Sequence, residues 1–146
     1  MSFDGGAEET AIRERLGTLA GGRIMDMEPD DTMVPVYPDG QGKAMPYIVL
    51  SMGVPFANPS AGRAMSDGEA DIAYTLTFVV GCYAGDRNSL NALWKAVVEL
   101  MVDWTPVPGN DTPVSIPYAY NGSSQQTKTR PALFSKIAAM KTTINL

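Results

Sequence analysis

The feature that most constrains this chain is a change of apolar period between Asp71 and Trp104. Along Ile72, Tyr74, Leu76, Phe78, Val80 and Cys82 every second residue is apolar, whereas Ala73, Thr75, Thr77 and Gly81 are small or hydroxylated. Strand side chains alternate between faces, so one face of this segment is core. Val79 and Tyr83 break the alternation on the second face, which predicts that this face is also partly covered. After Ala84-Gly85 the period becomes helical. Asp86 is placed to cap the new helix, and Leu90, Leu93, Trp94, Val97, Leu100, Met101 and Trp104 recur along one stripe. Pro106 and Pro108 are expected to end it, because proline lacks the N–H that another turn requires. Burying one Val- or Leu-sized side chain is worth roughly 1.5–3 kcal/mol, so contact between this strand and this helix should dominate stability.

The remaining elements are weaker. Ile12, Leu16 and Leu19 give the stretch Glu8–Ala20 a narrow helical stripe, supported by Glu9 four residues before Arg13 and closed by Gly21-Gly22. With three strong apolar members, this helix is expected at the rim of the core or against a neighbouring subunit. Arg23–Met27 is a possible short strand, and Pro46–Met52 is an apolar run suited to an interior strand beside the Ile72–Cys82 strand. Between those two strands lies a long loop at about 53–70, rich in Pro, Gly, Asn and Ser. Phe56, Arg63 and Met65 make it a loop expected to order against a partner. Val114, Ile116, Tyr118 and Tyr120 alternate again, with Pro113 and Pro117 on the intervening positions, which assigns this strand to a sheet edge. Asn121–Thr129 is expected to be a flexible polar connector, and Leu133–Leu146 a final strand that closes a C-terminal β-hairpin region at about 113–146. The order of elements gives an α+β fold: a mixed or antiparallel sheet with an N-terminal helix and one long helix packed on it. At 146 residues, with no repeat or linker to divide it, a single domain is expected over 1–146.

Composition excludes more than it suggests. The chain has no histidine, which removes the usual general base, the usual zinc ligand and every triad built on imidazole. Its one cysteine, Cys82, falls in the apolar alternation and is expected to be a buried, inert thiol. Gly40-Gln41-Gly42-Lys43 lacks the spacing of a phosphate loop, and Ala44 stands where the metal-binding hydroxyl belongs. Asp26, Glu28, Asp30 and Asp31 do not match a calcium loop, since its sixth and twelfth positions, counted from Asp26, hold Asp31 and Tyr37. Asp103 and Asp111 flank Trp104, but acids beside a helix end are commonplace. No convergent catalytic site emerges, so a non-enzyme with no cofactor and no metal is expected. A net charge of −5 without a Lys/Arg stripe argues against gripping nucleic acid. No stretch reaches the ~18 consecutive apolar residues of a membrane span, nor does the N-terminus read as a signal peptide, so synthesis in a cytoplasm is expected.

The run Ile12-x-x-x-Leu16, then Pro46-Tyr47-Ile48-Val49-Leu50, then Tyr74–Val80, then Leu90-x-x-Leu93 through Asp103-Trp104-x-Pro106, resembles the tail terminator (tail completion) proteins of long-tailed bacteriophages. The likeness covers roughly residues 9 to 106 and rests on apolar patterns. It implies a hexameric, ring-forming subunit of the virion, assembled in the bacterial host cytoplasm. The ring ends the tail tube and joins it to the head connector. Its partners are copies of itself, the major tail (tube) protein and the head-completion (stopper) protein. Genome DNA passes through the lumen without specific binding. On this reading Phe56, Arg63, Met65, Tyr118, Tyr120, Phe134 and Ile137 are candidate interface residues, and Asp26, Glu28, Asp30 and Asp31 are candidates for an acidic lumen whose like charge lets DNA slide. Another phage neck or tube component is an alternative. So, from a different class, is a monomeric ligand-binding domain using Trp94, Trp104 and the 54–69 loop.

Overall fold

The computed structural model describes residues 6–39, 42–57 and 73–145. In chain order its elements are α1 (Gly6–Leu16), β1 (Ile24–Met25), β2 (Tyr47–Met52), β3 (Phe56–Ala57), β4 (Ala73–Ala84), α2 (Arg87–Met101), β5 (Ser115–Ser124) and β6 (Leu133–Asn145). The fold is α+β. Six strands form one mixed sheet in the order β1-β2-β4-β6-β5, with β3 also paired to β4. All neighbours are antiparallel except β1 and β2, which run parallel.

The period change is where the sequence places it. Leu76, Phe78, Val80, Cys82 and Ala84 are buried on one face of β4, and Leu90, Leu93, Val97 and Met101 of α2 share a core with the last four of them. Asp86 caps α2: the Ser89 N–H donates to its Oδ1 at 2.7 Å. Lys43, 2.6 Å from the carboxylate, and that N–H together hold Asp86 down at about 2. The helix ends at Met101, short of Pro106, so Trp104 lies outside it. The chain leaves through Asp103 at φ 64, a left-handed residue of the kind that terminates helices without help from a proline.

Helix α1 departs from the sequence reading. Ile12 and Leu16 are fully buried in the same core as α2, with Leu19 beyond the helix end packed against it, so two apolar residues suffice to place this helix inside and not at the rim. The arginines on its other positions hold it there: Arg15 Nε donates to the Leu100 carbonyl at 2.8 Å, and its guanidinium lies over the Trp104 ring. Both helices thus cover one face of the sheet. On the opposite face, residues 34–39 and 42–44 meet at a Val36–Ala44 bridge and cover one end, forming a second small core of Val34, Ala44, Tyr47, Val49 and Leu133. This cover is what Tyr83 signals in the sequence, since its ring stacks on Tyr47 with centroids 5.0 Å apart.

The C-terminal hairpin is longer than expected. Asn121–Ser124, read as connector, belongs to β5 and pairs with Leu133–Lys136, because a long partner strand can order polar residues that have no apolar alternation of their own. Strand β5 is an edge, as its prolines require, and a register irregularity between Ser115 and Tyr118 absorbs Pro117. Strand β6 is central, between β4 and β5.

Candidate functional site

Sheet register decides which candidate interface residues share a surface. Tyr118 pairs with Ala139 and Tyr120 with Ile137, while Ala139 and Ile137 pair with Val79 and Gly81 of β4. Directly paired residues project to the same side, so Val79, Ile137, Tyr118 and Tyr120 all lie on the face away from the helices. This part of the face lies beyond the second small core. Val79 is 39% exposed, Tyr120 49% and Tyr118 63%, and the two tyrosine rings sit 5.8 Å apart. The result is a strip of apolar and aromatic surface running from the sheet centre to its β5 edge.

Phe134 does not join this strip. It pairs with Ala84 and lies on the helix side, half-buried against the main core with the Arg87 guanidinium 5.4 Å over its ring. Phe56 is exposed on β3 opposite Thr75, on the same face as the strip but at the other margin of the sheet. Arg63 and Met65 lie outside the described residues. Sequence reasoning missed Met27, Met33 and Val36, three large exposed apolar residues of the segment that crosses this face. The acidic composition around them masked the signal.

Three of the four candidate lumen acids are tied to arginines. Asp26 pairs with Arg13 at 2.5 Å, while Glu28 and Asp31 lie 3.4 and 3.6 Å from Arg130 at the base of the β5–β6 turn. Thr129 Oγ1 donates to Asp31 Oδ2 at 3.0 Å. Asp30 is exposed. The Tyr47 hydroxyl lies beside Arg130, and among the described residues neither it nor the buried Arg130 Nε meets a hydrogen-bond partner. Burial raises the Tyr47 phenol above its usual value, and the nearby guanidinium offsets part of the rise.

Among the described residues the acids that the sequence singles out do not converge on one site. Asp111 turns away from Asp103 to a buried carboxyl partner, Glu8, and burial followed by that neighbour pushes Asp111 up to about 7. The pair is walled in by backbone and the Asn110 amide. Burial pushes the Cys82 thiol up to about 12. Among the described residues no group of three or more Cys, Asp or Glu side chains is placed to hold a metal ion, and no helix is long and apolar enough to cross a membrane. Trp94 and Trp104 line separate cavities of about 200 and 480 Å³, so they do not build one pocket.

No protein-family model and no curated protein matches the chain. Among solved structures, the chain is similar to one from the virion of a native gene transfer agent (GTA) particle. The TM-score is 0.50 at 16% identity, and the match covers 94% of each chain. At that identity the likeness is one of fold.

Proposed function

We propose that this chain is a structural virion protein with no catalytic role, a single tail-terminator-like domain that assembles as a hexameric ring. The ring caps the tail tube, stops its elongation and joins the tail to the head-completion protein, with DNA passing through. The observation that carries this reading is the strip of Val79, Ile137, Tyr118 and Tyr120, which runs from the sheet centre to its β5 edge. A free monomer gains nothing from exposing two adjacent tyrosines on an edge strand. Half-burying each against another chain gives about 1–2 kcal/mol, which a ring collects at every junction. Phe56 at the other margin suits a head-to-tail contact in which different surfaces of successive subunits meet. The fold likeness to a chain of a gene transfer agent virion supports the same reading over nearly the whole chain.

The acidic segment is proposed to face the lumen. Since Asp26, Glu28 and Asp31 are partly neutralised by arginines, Asp30 is the position where a charge change tells most. Asp30→Lys should slow DNA ejection from assembled particles. Unchanged ejection kinetics would move the segment out of the lumen.

Electron microscopy of tails grown with and without the protein tests the assignment. Tails of uniform length joined to heads are expected with it, and overlong, unjoined tails without it. Normal tails in its absence would sink the terminator reading, and failed heads with normal free tails would favour a different neck component.

A further inference from the structure

Arg87 in the first turn of α2 and Lys136 on β6 line one cavity of about 370 Å³, together with Asn91, Asn121 and Phe134. A second hollow of about 200 Å³, lined by Trp94, shares Asn121 and Lys136 with the first. The two form a continuous trough between α2 and β5. Among the described residues no carboxylate lines either hollow, although the chain as a whole carries a net −5. Arg13, Lys43 and Arg130 are ion-paired; Arg87 and Lys136, like several other described cations, meet no carboxylate, and the Arg87 guanidinium rests on the Phe134 ring that it shares the cavity with. The trough is therefore a local positive site in an acidic protein, with two cations that no carboxylate neutralises.

One wall of the trough is a sheet edge. From Tyr118 to Ser124, β5 pairs in regular register with β6 on one side and ends the sheet on the other. Its outward N–H and C=O groups can take one more strand. Asn121 pairs with Lys136, so a residue of an added strand opposite Asn121 would project to the helix side, in line with Lys136 and toward Arg87. Two cations and a net negative chain do not suit nucleic acid, which needs a run of basic residues along its backbone.

We infer that the trough and the β5 edge together bind an extended acidic segment of a partner protein, whose main chain adds to β5 and whose carboxylates meet Lys136 and Arg87. The inference does not rest on the virion reading. It concerns the helix side of the hairpin, and the free full-length protein tests it without any assembly.

The test is a titration of ¹⁵N-labelled protein with three blocked heptapeptides of alternating Glu-Val, Gln-Val and Lys-Val, and with inorganic phosphate. The Glu-Val peptide is expected to shift the amides of residues 118–124 and 136 saturably, about tenfold more tightly than Gln-Val, with no binding of Lys-Val. Arg87→Gln and Lys136→Gln should each weaken it about tenfold while leaving the thermal melt unchanged. Arg87 is exposed, so its variant keeps the test valid even if Lys136→Gln folds poorly. No saturable binding of Glu-Val up to about 5 mM, equal binding of Glu-Val and Gln-Val, or undiminished binding by the Arg87 variant would overturn the inference. Displacement by phosphate at equal concentration would reduce the trough to a simple anion site and overturn it as well.

Discussion

Arg130 and Glu28, 102 residues apart in the sequence, hold an ion pair of 3.4 Å that fastens the acidic segment to the turn of the C-terminal hairpin. Asp31 reaches the same guanidinium at 3.6 Å. Removing Arg130 releases both acids and the loop they belong to. Arg130→Ala should cost about 1–2 kcal/mol, and amide exchange should rise most in residues 31–37. Equal exchange there in both proteins would mean that the second core alone holds the segment down.

Gly53 follows the last residue of β2 and lies beside Thr77 of β4. Its N–H donates to the Thr77 carbonyl at 2.8 Å, and an added Cβ would sit 2.5 Å from that same oxygen. Because the obstruction is backbone, no side chain can swing away. Gly53→Ala should destabilise the protein by about 1–3 kcal/mol in urea unfolding. A neutral outcome would show that β2 can slide away from β4 at this point.

The Glu8–Asp111 pair predicts a pH dependence with a definite sign. Asp111 titrates near 3.8 in an unfolded chain and at about 7 here, so the folded state holds the extra proton between those values. Stability from this group is full at pH below about 4 and is lost as pH rises toward 7. Asp111→Asn removes the titration. It should raise the melting temperature by several degrees at pH 8 and leave it nearly unchanged at pH 4. A gap of equal size at both values would show that the carboxyl pair does not share a proton.

Tyr118→Ser combined with Tyr120→Ser probes the strip without disturbing the fold. Both residues are exposed, so the monomer should change by no more than about 0.5 kcal/mol, while self-association and binding to tail tubes should fall at least tenfold. Intact assembly by the double variant would place the subunit contact elsewhere.

Legibility in the sequence followed the range of the interactions. The strand Ala73–Ala84, the capped helix after Asp86 and the edge character forced by Pro117 are set by local period and backbone chemistry, and all three were readable. Tyr118 and Tyr120 share one alternation that keeps them on one face, and only the register of β6 against β5 adds Ile137 to that face. Phe134 fell out because residues 133–140 support either strand phase, and only pairing with Ala84 fixes it on the helix side. Asn121–Ser124 carried no alternation and was ordered by its partner strand. Arg130 with its acids, Glu8 with Asp111, and Arg87 with Lys136 join residues from distant parts of the chain, and nothing local marks one member for the other.

The most direct test of the assembly claim is light scattering on the purified protein, alone and with tail tubes from particles that lack it, with electron microscopy of the mixture. The account predicts tube ends capped by six-fold rings of this chain. A monomer that neither self-associates nor binds tube ends would contradict it.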